Sequence, residues 1–67
     1  MNGNVTKCEV EVVNGEVVGT YQFDPLPREG ERICIPGGRR FKVDTVEHVL
    51  NDAGTGTLKV RLIVWNL

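Results

Sequence analysis

The side chains with chemical reach are few: two cysteines, one histidine, one tryptophan and a cluster of arginines, with no serine anywhere. The missing serine removes serine nucleophiles outright. Cys34 lies two residues from Arg32 and, in the hairpin register that burial favours, opposite Lys42. Nearby cations stabilise a thiolate, so a Cys34-dependent enzyme is one reading. The plainer reading is an inert thiol on a sheet face, because catalysis also needs a base and a pocket. His48 falls on an apolar alternation, where a lone histidine is usually an inward residue bonded locally. Asp44 and Glu47 are near it in sequence but point elsewhere in the pleat, so no orienting carboxylate serves it. With one histidine and no Cys-x-x-Cys pair, neither a metal site nor a cofactor is expected. No enzyme is expected either.

Two groups suggest recognition instead. Arg28, Arg32, Arg39, Arg40 and Lys42 face only Glu29 and Glu31 in the same stretch, giving residues 28–42 a net charge of +3 in a chain of net charge −1. Guanidinium forks suit phosphate or carboxylate. Nucleic-acid or phosphate binding through residues 32–42 is therefore an alternative function. Against it stands a balanced composition with a pI of about 5.7, and charge runs are usually solvated faces. Nucleic-acid binders also stack bases on exposed aromatics. Tyr21, Phe23 and Phe41 read as core residues, which leaves only Trp65. The second group is the C-terminal stretch, where both faces of the alternation turn apolar. Ile63, Trp65 and Leu67 are then a partner surface for a protein or a second copy, unless a closing barrel covers them. This protein–protein association, through that face or through an exposed strand edge, is the leading expectation.

The elements that must position these residues are strands. The chain of 67 residues is read as one domain, with a core one side-chain layer thick. Its hydrophobic period is two almost throughout, and β-branched residues dominate. Residues 5–13 and 16–23 form a hairpin around Asn14-Gly15, read as a type I′ turn. That turn sets Val12 opposite Val17, Val10 opposite Gly19 and Cys8 opposite Tyr21. Cys8, Val10, Val12, Val17, Gly19, Tyr21 and Phe23 share the inner face. Glu9, Glu11 and Glu16 form an acidic outer ladder. With Cys8 inside and Cys34 outside, no disulfide joins them.

Residues 24–30 carry two prolines and form a crossing loop. A third strand spans residues 31–35, and a fourth begins near residue 40. A loop of Gly37-Gly38-Arg39 sets Ile35 opposite Phe41 and Ile33 opposite Val43, places Arg39 at the tip, and leaves Arg32, Cys34, Arg40 and Lys42 outside. The phase then switches from odd to even, which predicts a bulge near Asp44-Thr45. A fifth strand over residues 57–65 pairs back, with Val46 opposite Leu62, His48 beside Val60 and Leu50 opposite Leu58.

The predicted fold is thus all-β: a five-stranded antiparallel, strongly bent sheet built from hairpins, or a partial barrel. Residues 26–46, with Gly30-Glu31-Arg32-Ile33, Gly38 and Phe41-Lys42-Val43, resemble the strand–turn–strand core of SH3-like barrels. They also resemble short uncharacterised proteins of bacteria and mobile elements. The resemblance implies a small SH3-like barrel and carries over no functional residue. The chain shows no signal-peptide pattern and no membrane span, since its longest apolar run is residues 62–65. Two reduced cysteines then point to the cytoplasm.

Overall fold

The computed structural model describes residues 7–67; residues 5 and 6, where the first strand was expected to begin, lie outside the described residues. Five strands follow in chain order: β1 Lys7–Val12, β2 Val17–Gln22, β3 Arg32–Cys34, β4 Arg40–Leu50 and β5 Thr57–Asn66. They form one sheet in the order β2-β1-β5-β4-β3, curved into a half-barrel. The all-strand content and the bent sheet agree with the sequence. The purely antiparallel arrangement does not, because β1 and β5 run parallel at the centre. Parallel neighbours need a long connection, and the whole of residues 13–56 supplies it. Alternation alone cannot reveal this, since a period of two reads the same in either direction.

The β1–β5 register nonetheless makes sense residue by residue. Cys8, Val10 and Val12 lie beside Val60, Leu62 and Val64 on the inner face, and all six are buried. Glu9 lies beside Arg61 on the outer face. Ile33, Ile35, Phe41 and Val43 complete the core, and Phe23, just after β2, and Leu26 from the crossing loop pack against it. A buried side chain of this kind contributes about 1.5–3 kcal/mol, so this single layer carries the fold.

The first hairpin departs from its expected turn. The N–H of Val12 donates to the Glu16 carbonyl at 2.8 Å, and that of Gly15 to the Val12 carbonyl at 2.8 Å. The loop is therefore three residues, Val13-Asn14-Gly15, with Gly15 at φ +97° taking the left-handed position. The Asn14 carboxamide oxygen accepts from the Glu16 N–H at 2.9 Å and braces the turn. A compensating irregularity follows: Glu11 pairs with Val17, but Val10 pairs with Gly19, so Val18 bulges. The two shifts cancel, and Val10–Gly19 and Cys8–Tyr21 form as expected. Between them they turn Val17 outward to 58% exposure and bring Val18 against the core. Gly19 is covered by the Tyr21 side chain, whose hydroxyl oxygen would lie 3.1 Å from an added Cβ.

The second hairpin is shifted by two residues from its expected register. Ile33 pairs with Phe41, Cys34 with Arg40 and Arg32 with Lys42. The loop is Pro36-Gly37-Gly38, closed by the Ile35 N–H on the Arg39 carbonyl at 3.0 Å. Proline is preset for the first corner, and two glycines at φ +98° and +87° take the left-handed positions that follow. An even shift preserves the faces, so Ile33, Ile35, Phe41 and Val43 still point inward. Cys34 is opposite Arg40 rather than Lys42, and Arg39 leaves the loop tip for the position just before β4, where its carbonyl pairs with Ile35.

The expected bulge in β4 is present: Val43 pairs with Val64 and Thr45 with Ile63, with Asp44 as the extra residue. Val46–Leu62 and His48–Val60 follow, and a second irregularity then sets Leu50 against Thr57 instead of Leu58. His48 was expected inside, yet it is exposed: its cross-strand partner Val60 is buried, but on the β4 side the face opens to solvent. It lines an open depression of about 520 Å³ with Leu26, Pro27, Arg28, Glu29 and Val46. Beyond it Leu50 and Leu58 are 55% and 67% exposed.

Candidate binding surface

The outer face of the half-barrel has two ends of opposite character, and the cross-strand register builds both. At one end, Glu9 on β1, Arg61 on β5 and Glu47 on β4 form a row. Arg61 Nε donates to Glu9 Oε1 at 3.2 Å and Nη1 to Glu47 Oε1 at 2.9 Å. Glu11 lies 3.7 Å from Arg61 Nε, and Lys59 Nζ lies 3.7 Å from Glu9. The Arg61 guanidinium is held in its charged form above the usual range, chiefly by the Glu9 hydrogen bond. Every acid of the expected outer ladder on β1 is thereby engaged.

At the other end the rows are Arg32–Lys42–Trp65, crossing β3, β4 and β5, and Cys34–Arg40–Leu67, which ends just past β5. Trp65 is 52% exposed and Leu67 60%. Ile63 is half-buried and stands between this end and Arg61. Arg32, Arg40 and Lys42 are all exposed, and among the described residues none of them forms an ion pair. A shallow groove of about 340 Å³ is lined by Arg32, Ile33, Cys34, Arg40 and Leu67.

The structure thus joins the two residue groups that the sequence keeps apart. Arg32, Arg40 and Lys42 share a face with Trp65 and Leu67. Arg28 and Arg39 do not belong to it. Arg28 lines the His48 depression, and its backbone N–H donates to Glu31 Oε1 at 2.7 Å. Arg39 bonds Glu16 Oε2 at 3.1 Å and Asn66 Oδ1 at 3.1 Å, with its guanidinium 4.9 Å from the Phe41 ring centroid. It closes the end of the core and ties the acidic hairpin to the basic one within the chain.

Asp44 is the site residue that sequence reasoning missed. Its bulged position lets Oδ1 accept from the Trp65 indole N–H at 3.0 Å while Oδ2 accepts from the Thr45 hydroxyl at 2.9 Å. These bonds, the indole first, hold its carboxyl below the ordinary value. They also fix the orientation of the exposed ring. The predicted bulge marked the place, but alternation gives no side-chain partner.

Cys34 is exposed and Cys8 is buried, and neither is in a disulfide. Burial pushes the Cys8 thiol up. Among the described residues no group of three or more histidine, cysteine or acidic side chains converges to hold a metal ion. Nor is any helix there long and apolar enough to cross a membrane. Comparison with known protein families, curated proteins and solved structures finds no match.

Proposed function

We propose that this chain is a non-enzymatic binding module that holds a protein partner on the Trp65 end of its outer face. The observation that carries the reading is Trp65, half-exposed and oriented by Asp44, in one row with Lys42 and Arg32. Tryptophan and arginine are the side chains that most often dominate protein interfaces, because they bury large area around a fixed polar anchor. Leu67 and half-buried Ile63 extend the apolar part, and Cys34 is a wall of the groove rather than a nucleophile in this reading. The likeness of residues 26–46 to SH3-like barrels belongs to the same proposal, as does a cytoplasmic location for a chain with an exposed thiol.

The alternative, an anionic ligand on the arginines, has one specific observation in its favour: Arg32, Arg40 and Lys42 lack ion-pair partners among the described residues. On this surface it describes the chemistry of the partner more than a different site. Selection of binding peptides from a random displayed library tests the reading. Peptides recovered on the intact chain should fail to bind Trp65→Glu while that variant keeps its circular dichroism. Peptides that bind the folded variant equally would refute it.

A further inference from the structure

We infer that the partner presents an extended acidic segment, which adds to the free edge of β3 as a sixth strand with its carboxylates over Arg32, Lys42 and Arg40. The inference rests on the protein-binding reading and names the chemistry and mode of the partner. Its first support is the hydrogen-bond alternation. The Ile35 N–H reaches the Arg39 carbonyl at 3.0 Å and the Val43 N–H reaches the Glu31 carbonyl at 2.8 Å. Residues 31, 33 and 35 therefore face β4. Arg32 and Cys34 turn their N–H and C=O groups the other way, toward the open edge of the sheet. A peptide strand carries donors and acceptors that match all four groups.

The second support is electrostatic. Arg32 and Lys42 are directly opposed in a non-hydrogen-bonded pair, where side chains approach most closely. Like charges so placed destabilise a sheet, and among the described residues no acid forms an ion pair that offsets them. An incoming carboxylate does. The segment's residues on the outer face are accordingly acidic.

A second copy of the chain does not fit this role. The acids on its strands are Glu9, Glu11, Asp44 and Glu47, and each is already engaged by Arg61, Lys59, Trp65 or Thr45. A nucleic acid fits less well as well. The Asp44 carboxylate stands beside Trp65, the exposed indole on which a base would stack, and it repels phosphate. The other open edge, β2, has no cation along its length and is kinked by the Val18 bulge.

The test titrates the intact chain with a short end-blocked peptide of alternating Glu and Thr, reading backbone amide exchange and Trp65 emission. Controls are the Lys–Thr peptide, an N-methylated Glu–Thr peptide and single-stranded oligo-dT. Binding of the Glu–Thr peptide should slow exchange at Arg32 and Cys34 and shift Trp65 emission. Binding should weaken at least about tenfold in Arg32→Glu and in the milder Lys42→Ala, since each removes a cation from the contact. The N-methylated and Lys–Thr peptides should not bind. Equal binding of the N-methylated peptide, or tighter binding of oligo-dT, overturns the inference. Library peptides that depend on Trp65 yet leave Arg32 and Cys34 unprotected overturn strand addition alone and spare the protein-binding reading. If no library peptide depends on Trp65, that reading itself has failed.

Discussion

The two ends of the outer sheet face have similar residue types but opposite states of completion. At the Arg61 end one guanidinium is surrounded by Glu9, Glu11 and Glu47, and the charges are neutralised inside the chain. At the Trp65 end three cations share the face with an exposed ring, and the acid beside that ring, Asp44, is bonded to it. The first arrangement holds three strands together, because β1, β5 and β4 each contribute a member. The second leaves Arg32, Arg40 and Lys42 without ion-pair partners among the described residues. A charged residue is therefore informative about recognition only after its intramolecular partners are known, and Arg39 shows the point within one hairpin. Its neighbour Arg40 is free of ion pairs among the described residues, while Arg39 is tied to Glu16 and Asn66.

Both ends rest on the same buried layer, so the largest effect is expected from beneath them. Leu62→Ala removes a fully buried side chain between Val10 and Val46 and should cost about 2–5 kcal/mol. A domain of this size has about 3–5 kcal/mol to lose, so the variant should be largely unfolded at room temperature. In urea, Trp65 fluorescence and far-ultraviolet dichroism should report one common transition for the intact chain. Two separate transitions would show that the ends are independent units.

A smaller effect separates the ends by sign. Arg61→Ala leaves Glu9, Glu11 and Glu47 without the cation they share, with Lys59 still beside Glu9, and should lower the melting temperature. Lys42→Ala removes a like-charge opposition to Arg32 and should leave the melting temperature unchanged or raise it. Thermal melts at low salt compare the two directly, and a fall of equal size in both would erase the distinction. Added salt should shrink the Arg61 effect, since exposed charges are screened.

The smallest effect belongs to Asp44. Its carboxyl is held below the ordinary value of 3.8 in the folded chain, so its contribution is present above the unfolded value and is lost as pH falls through the folded one. Trp65, the only tryptophan, should change its emission in that same acid window, below pH 3.8. Asp44→Asn should remain folded and lose this step. An unchanged acid transition in that variant would show that another group controls the ring.

The sequence determined the strands, the inward set Cys8, Val10, Val12, Ile33, Ile35, Phe41 and Val43, and the bulge at Asp44, because alternation of period two and its phase change are local signals. It misplaced Val17 and Val18 because a three-residue turn and a bulge are two errors of opposite sign that leave the rest of the hairpin in register. It set the second hairpin two residues off because an even slip preserves every face and so costs nothing in burial pattern. Only the tertiary structure decided that β1 lies parallel to β5, since a period of two has no direction. Only it decided which charges are neutralised, since Glu9 and Arg61 are 52 residues apart and meet through that pairing alone. For the same reason it alone placed Trp65 beside Lys42 and Arg32, so that an apolar stretch and a basic hairpin became one surface.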